Sequence, residues 1–183
     1  MHSAARPSAS TQPLSSTSWS DTTNAIPLTS SPIHGALPAW SPDGSQIAFM
    51  GTPKGKSARI YLIARDGGEP KPVPPDTLWP LAPLASEHWQ GGPTWSPDGK
   101  QIAIGENGDH FPLSPVCAIH IFHLDTQILS TIPHSEGLWS ARWSPAGRYL
   151  AALTRDDEKL MLYDFRTQKW TLLDDGFIGD NPA

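Results

Sequence analysis

The pentapeptide WSPDG occupies residues 40–44 and recurs at residues 95–99, and a third copy, WSPAG, occupies residues 143–147. Each copy lies inside a longer repeated stretch: PAWSPDGSQIAFM, PTWSPDGKQIAIG and ARWSPAGRYLAAL. The three tryptophans are 55 and then 48 residues apart. Self-similarity at this period is typical of solenoids and propellers. The repeat therefore decides the fold class.

Each copy continues into the same order of short elements. An apolar strand follows (ARIYLIA, CAIHIFHL, EKLMLYDF), then a short turn (RDGG, DTQ, RTQ), then another strand (EPKPVP, ILSTIP, KWTLLD). We label the four strands of a unit A to D, with strand A ending at the tryptophan; a propeller blade has four strands. The prolines of the first D strand place it on a sheet edge, because proline cannot donate to a ladder. The predicted fold is all-β, an incomplete β-propeller of three four-stranded antiparallel blades at residues 36–75, 91–133 and 139–175.

Partial units are predicted at both termini of a propeller segment that covers residues 16–183. Residues 16–30 match a C–D hairpin, and residues 180–183 match the start of a further strand A, whereas residues 1–15 form a flexible lead-in. Three blades are too few for a ring, since propellers use about 4–8. We expect a fragment of a larger propeller that forms an arc and self-associates through open blade edges. A cooperative monomer would instead indicate that the terminal pieces close the ring.

Composition excludes several classes of protein. The 20 prolines and 15 glycines disfavour helices, and a net charge of −5 with no basic block argues against a nucleic-acid partner. Cys117 is the only cysteine, which excludes an internal disulfide and zinc sites built from several cysteines. No apolar run is long enough for a membrane span, and the N-terminus has no apolar signal-peptide region. The compartment stays open.

The pattern PxWSPDGxxIAF…IYxxxxDGG resembles the TolB-type, WD-repeat-like β-propeller over roughly residues 16–183. Such propellers occur in periplasmic TolB, in front of prolyl-oligopeptidase catalytic domains, and behind winged-helix domains in bacterial regulators; the third unit is most similar to the last group. The resemblance implies a non-enzymatic module for protein interaction or ligand sensing. The alternative is the substrate-gating propeller of a prolyl-oligopeptidase-like serine peptidase without its catalytic domain.

The repeat indicates that WSPDG is a structural turn and not a catalytic site. The third copy has Ala146 where the others have Asp43 and Asp98, so the carboxylate is dispensable. Proline fixes φ, glycine supplies a positive φ, aspartate accepts backbone N–H bonds, and the tryptophans fill space between blades. The residues of this repeated turn are Trp40, Pro42, Asp43, Gly44, Trp95, Pro97, Asp98, Gly99, Trp143, Pro145 and Gly147.

Other motifs give no catalytic, cofactor or metal site. GTPKGKS at residues 51–57 has three residues between its glycines, where a phosphate-binding loop needs four, and it joins two strands. His120 and His123 are three apart on a strand, so they point to opposite faces. GENGDH at residues 105–110 lacks the oxygen spacing of a calcium loop and is interpreted as a solvated loop. The chain has no G-x-S-x-G, and Cys117 starts an apolar strand, which favours burial.

The connections place a candidate binding surface on one face of the disc. The A–B and C–D turns are short and uniform, and they share one face. The B–C and D–A connections lie on the other face and vary in length, as binding loops on a rigid scaffold do. We expect a protein partner or small ligand there. An alternative is that the aromatic side chains fold back onto the blade edge. The candidate residues are Trp79, His88, Trp89, Asp109 and His110.

Overall fold

The computed structural model describes residues 28, 33–56, 58–75, 88–90, 92–108 and 118–174. Within these ranges every regular element is a β-strand. The strands are β1 Ile33–Trp40, β2 Gln46–Pro53, β3 Arg59–Ala64, β4 Lys71–Pro72, β5 His88–Gln90, β6 Thr94–Trp95, β7 Gln101–Gly108, β8 Ile119–His123, β9 Ile128–Thr131, β10 Leu138–Trp143, β11 Tyr149–Thr154, β12 Leu160–Asp164 and β13 Lys169–Asp174.

The strands form three antiparallel sheets, each built from one sequence repeat. Blade 1 has the order β1-β2-β3-β4 and blade 3 the order β10-β11-β12-β13. In blade 2, β5 and β6 pair with two different stretches of β7, so together they take the place of a single first strand before β8 and β9. The prediction of an all-β chain with three four-stranded antiparallel blades is confirmed. The terminal partial blades fall outside the described residues, apart from Leu28.

The outer strand of blade 1 is short because its sequence is rich in proline. Of the predicted strand EPKPVP, Lys71 and Pro72 form the strand that pairs with β3, and the Val73 N–H donates to the Ile60 carbonyl of β3 at 2.8 Å. This strand lies at the end of the sheet order, where the missing N–H groups of its prolines cost no ladder bonds. Blades 2 and 3 have fewer prolines here and form longer outer strands, β9 and β13.

The first strand of each blade is interrupted close to the tryptophan. The pairing register shifts between Ala36 and Ala39 in β1, and again between Trp139 and Arg142 in β10. Leu37 and Ser140, each three residues before a tryptophan, both have φ of 51°. In blade 2 the interruption is complete and separates β5 from β6. A bulge bends its strand and turns the residues beyond it.

Two apolar interfaces hold the blades together. We call the side of a blade that meets the next one its trailing face, and the opposite side its leading face. Trp95 of blade 2 is 8% exposed, and its Nε1 donates to the Ala39 carbonyl of blade 1 at 3.1 Å. The cluster between blades 1 and 2 is Ala48, Met50, Ala58, Ile60, Val73, Trp95, Ile102, Ile104 and Phe122. The cluster between blades 2 and 3 is Ala103, Ile119, Ile121, Ile132, Leu138, Ala141, Leu150, Ala152 and Tyr163.

The three repeated tryptophans have different environments. Trp143 is half-buried; its ring stacks on Phe165 at 4.5 Å, and its main-chain N–H donates to Thr94 Oγ1 of blade 2 at 3.3 Å. Trp40 is 60% exposed, so the prediction that it fills space between blades is wrong for this copy. The physical reason is position: Trp40 lies at the leading face of blade 1, and the described residues include no blade before it.

Trp95→Ala should lower the free energy of unfolding by about 3–5 kcal/mol, because it empties a packed site between two blades. Trp40→Ala, measured at a dilution where the chains are monomeric, should cost about 0.5 kcal/mol or less. Urea denaturation followed by tyrosine and tryptophan fluorescence measures both. Equal losses for the two variants would contradict the role assigned to Trp95.

Candidate functional site

A serine organises the repeated turn between strands A and B. The Ser41 N–H donates to the Gln46 carbonyl and the Gly44 N–H to the Ser41 carbonyl, both at 2.9 Å. Ser41 Oγ accepts from the Gln46 N–H at 2.9 Å and donates to Asp43 Oδ1 at 2.6 Å. Asp43 Oδ1 also accepts the Ser45 N–H at 3.0 Å. The polar atoms of the turn therefore bond one another.

The other two copies show which residue is essential to this arrangement. Ser96 Oγ accepts from Gln101 N–H at 2.9 Å and donates to Asp98 Oδ1 at 2.5 Å. In blade 3, Ser144 Oγ still accepts from the Tyr149 N–H at 3.0 Å although Ala146 replaces the aspartate. The glycines Gly44, Gly99 and Gly147 have φ of 68°, 71° and 75°. Sequence reasoning missed the serines, although a serine follows the tryptophan in every copy.

A fourth copy of this turn lies at residues 154–159, between β11 and β12, without a tryptophan, proline or glycine. Thr154 Oγ1 accepts from the Lys159 N–H at 3.0 Å and donates to Asp156 Oδ1 at 2.5 Å. Asp157 takes the glycine position with φ of 60°. These residues form the B–C connection of blade 3. Because a B–C connection also uses it, the turn is a general way to join two strands.

Hydrogen bonding fixes the charge state of these aspartates. The Ser41 hydroxyl, followed by the N–H and hydroxyl of Ser45, lowers the pKa of Asp43 to about 2. The pKa of Asp98 is lowered mainly by the Ser96 hydroxyl, and that of Asp156 mainly by the Thr154 hydroxyl. A carboxylate that stays ionised and is already bonded to the turn is poorly suited to proton transfer near neutral pH.

The two histidines of β8 are separated by the sheet. His120 is buried, and its Nδ1 is 2.9 Å from Thr131 Oγ1 on the adjacent strand. His123 is half-buried at the end of the strand, where it pairs with Gln101. In the part of the chain that the structure describes, no three His, Cys, Asp or Glu side chains lie close enough to hold a metal ion.

Two of the candidate loop residues lie in a strand. His88 and Trp89 belong to β5 and pair with Gly108 and Asn107, so their assignment to a loop is wrong. The same pairing places residues 105–108, interpreted as a solvated loop, in β7. The physical reason is that β7 continues beyond Gly105, which forms the last pair with β8 through Ile119. The main-chain N–H and C=O groups of this extension need partners, and β5 pairs with it. Trp79, Asp109, His110 and Cys117 lie outside the described residues.

Gly51, the first residue of the GTPKGKS motif, is required for packing. It lies in β2, and a Cβ there would come within 2.7 Å of side-chain atoms of both Ile33 and Tyr61. The following turn, closed by Lys56 N–H to the Pro53 carbonyl at 3.0 Å, joins two strands of one sheet. A phosphate-binding loop needs a helix N-terminus at this point, and β3 follows instead.

The B–C/D–A face of blade 3 is well ordered by hydrogen bonds. Trp139 Nε1 donates to the Thr154 carbonyl at 3.1 Å and to Asp157 Oδ1 at 2.8 Å. The Arg155 N–H donates to the Gly137 carbonyl at 2.8 Å. These bonds tie the B–C turn to the D–A connection and leave a shallow depression lined by Gly137, Thr154, Arg155 and Asp156. Sequence reasoning missed Trp139, which has no repeated counterpart.

Comparison with known proteins shows the fold. No family model matches the chain. TolB from Acinetobacter baumannii is 17% identical, with a TM-score of 0.59 over 79% of this chain and 33% of that one. A prolyl endopeptidase structure is 18% identical, with a TM-score of 0.55 over 79% of this chain and 22% of that one. The uncharacterized peptidase YuxL of Bacillus subtilis is 30% identical over 83 residues, 45% of this chain and 11% of YuxL.

The chain therefore has the fold of an incomplete TolB-type β-propeller, and this prediction is confirmed. It spans less than half the length of each of these proteins. Within the described ranges, no helix has the length and apolarity needed to cross a bilayer. The likeness of the third unit to winged-helix regulators stays a prediction.

Asp98→Ala should cost roughly 0.5–2 kcal/mol, comparable to the loss of a local cap, and should leave ligand binding intact. Ser96→Ala should cost more, about 1–3 kcal/mol, because it leaves the Gln101 N–H without its acceptor in a part-buried turn. Chemical denaturation measures both. A larger loss for Asp98→Ala than for Ser96→Ala, or lost binding in a folded Asp98→Ala variant, would contradict the assignment of roles.

The turn aspartates should also contribute to acid sensitivity. Because the folded state lowers their pKa from 3.8, the unfolded state binds more protons, and their stabilisation is lost as pH falls from about 4 towards 2. The double variant Asp43→Ala/Asp98→Ala should therefore lose stability less steeply over this range than the wild type. Thermal melts at a series of pH values test this, with Asp66→Ala in a C–D turn as control. Parallel curves for wild type and double variant would refute it.

Proposed function

We propose that the chain is a non-enzymatic β-propeller module that binds a protein partner or a small ligand on its B–C/D–A face. The observation that supports this proposal is that the repeated polar residues form hydrogen bonds within their own turns. In all three blades the hydroxyl of the serine accepts a backbone N–H of the same turn, and the aspartates, where present, accept from that hydroxyl. Because the repeated residues stabilise the turns, we assign partner recognition to the connections that differ between the blades.

The B–C/D–A face differs from blade to blade, which suits a specific binding surface. In blade 1 its B–C turn is closed around Gly55, and in blade 3 it is the Thr154 turn tied to Trp139. In blade 2, β5 and the end of β7 extend beyond the last pair with β8. This two-stranded ribbon holds the backbone of Trp89 in a paired strand, and aromatic residues are favoured interface anchors.

The second candidate function is the substrate-gating propeller of a prolyl-oligopeptidase-like serine peptidase. The observation that favours it is the 30% identity with the peptidase YuxL, together with the fold shared with prolyl endopeptidases. The sequence flanking this chain in its gene separates the two proposals. A downstream G-x-S-x-G within a hydrolase domain favours the peptidase, and an upstream winged helix or membrane span favours the sensing module.

Replacing Trp79 and Trp89 together with alanine should weaken partner binding by at least tenfold and change the free energy of unfolding little, because aromatic anchors dominate interface energies. The partner is first isolated by affinity capture on the wild-type chain and its binding is then measured by calorimetry. Ile128→Ala, at an exposed apolar side chain on the outer strand of blade 2, is the control.

A different result assigns these residues to the core. A loss of several kcal/mol of stability, with binding per folded molecule unchanged, would show that the two tryptophans fold back onto the blade edge and would contradict the proposed surface.

A further inference from the structure

The first strands of the three blades bring together residues that the proposed binding face does not use. These strands lie at the ends of their sheets opposite the outer strands, and β6 of blade 2 contacts both β1 of blade 1 and β10 of blade 3. Leu37 lies in β1, Gly92 lies two residues before β6, and Arg142 lies in β10. A Cβ added to Gly92 would be 3.3 Å from Leu37 Cβ and 3.4 Å from Arg142 Nη2. One residue from each blade therefore borders the same point.

Main-chain carbonyl groups hold the guanidinium group of Arg142 in place. Its Nη1 donates to the Gly92 carbonyl at 3.2 Å and to the Ala141 carbonyl at 2.7 Å, which uses both hydrogens of that nitrogen. Arg142 is exposed, and its Nε and Nη2 donate to no other residue among those that the structure describes. These two nitrogens form one edge of the guanidinium group, the arrangement that binds both oxygens of a carboxylate. The carbonyl groups therefore orient this edge without occupying it.

Leu37 adds an apolar surface beside this edge. Its side chain is 51% exposed. The absence of a side chain at Gly92 lets Leu37 and Arg142 approach each other, since a Cβ there would require a neighbouring side chain to move by a few tenths of an ångström. In the other two repeats the residue before the tryptophan is alanine or threonine, so the cationic side chain occurs in one blade only. The point where the blades meet thus combines one positive charge with one apolar side chain.

We propose that Arg142 and Leu37 bind an aliphatic monocarboxylate over the backbone of Gly92. The two carboxylate oxygens accept from Nε and Nη2 of Arg142, and the aliphatic group contacts Leu37. One guanidinium group balances one negative charge, whereas a phosphate group carries about −1.5 to −2 at pH 7 and would leave the apolar side chain unused. This chemistry is found in a free aliphatic acid and at the C-terminus of a peptide. The inference goes beyond the proposed function, because the site lies on the first strands and not on the B–C/D–A face.

Titration of the isotope-labelled 183-residue chain with isovalerate, followed by NMR of the arginine Nε–H groups, tests the proposal. The signal of Arg142 is the one that is lost in the Arg142→Gln variant. It should shift with saturable binding at millimolar concentration, and added salt should weaken this binding because the site is exposed. Isovaleramide, which has the same shape without the charge, and inorganic phosphate should bind more weakly by about tenfold or more. The peptide acetyl-Gly-Gly-Leu with a free carboxylate distinguishes the two sources: tighter binding than isovalerate assigns the site to a peptide C-terminus, and weaker binding assigns it to a free acid.

Three variants locate the binding, which is followed in each at the backbone amide signal of Gly92. Arg142→Lys keeps the charge but loses the pair of parallel donors, so it should bind isovalerate about tenfold more weakly or worse. Leu37→Asn removes the apolar contact with a residue that tolerates the φ of 51° at this position, so it should bind isovalerate no better than acetate. Arg166→Gln removes the same charge from an exposed arginine in a C–D turn and is the matched control, which should bind as the wild type does.

Several results would overturn the proposal. These are an Arg142 signal that responds to neither isovalerate nor the peptide, an equal response to isovaleramide or phosphate, and undiminished binding by a folded Arg142→Lys variant. Circular dichroism spectra and thermal melts establish that each variant is folded, as expected for replacements of exposed side chains. None of these results depends on Trp79 or Trp89, so the proposed function is tested separately.

Discussion

The hydrogen bond from a main-chain N–H to the serine hydroxyl of the A–B turn is the interaction on which the rest of the fold depends. It closes the turn across five residues, from Ser96 Oγ to the Gln101 N–H at 2.9 Å, and so fixes the register in which strands A and B pair. Because the tryptophan directly precedes the serine, the same bond also fixes the direction in which the indole side chain projects from the sheet. At Trp95 that direction leads into the neighbouring blade. A local polar contact thus positions the largest apolar side chain of the interface.

This dependence explains why the aspartate varies while the serine does not. The carboxylate strengthens the turn from outside, where water competes for its bonds, whereas the serine satisfies an N–H that pairs with no other strand. Blade 3 retains the turn without an aspartate and gains an Arg148–Asp164 ion pair at 2.9 Å beside it. Arg148 is largely solvated, so that pair adds little stability. The scaffold tolerates such exchanges on the A–B/C–D face, which is opposite to the face that we propose for binding.

The sequence was sufficient for the architecture because each blade repeats both its apolar pattern and its turn residues. The third strands were predicted within about two residues, as at Arg59–Ala64. The sequence was insufficient where a strand forms without a repeated motif. No motif marks β5, which forms because β7 is long enough to pair with it beyond β8. His88 and Trp89 were therefore predicted to lie in a loop. The Thr154 turn was missed because its geometry comes from Thr154 and Asp156, whereas the motif was recognised by tryptophan, proline and glycine. A candidate site that rests on long connections is predicted least well, since backbone pairing there depends on distant residues.

The repeat also determines which faces of a blade are apolar. Every blade has a leading and a trailing face, and the leading face of blade 1 is buried as well, since Ile47, Phe49, Tyr61 and Ile63 are each 9% exposed or less and Leu28 packs against them. On the outer strand of blade 3, Leu173 is 53% exposed, whereas Ile132 of blade 2, which is packed in the cluster between blades 2 and 3, is 3% exposed. Burial of one such residue is worth about 1.5–3 kcal/mol, a large fraction of the net stability of a small domain. The interfaces between neighbouring blades therefore contribute a large part of the stability of such a fold.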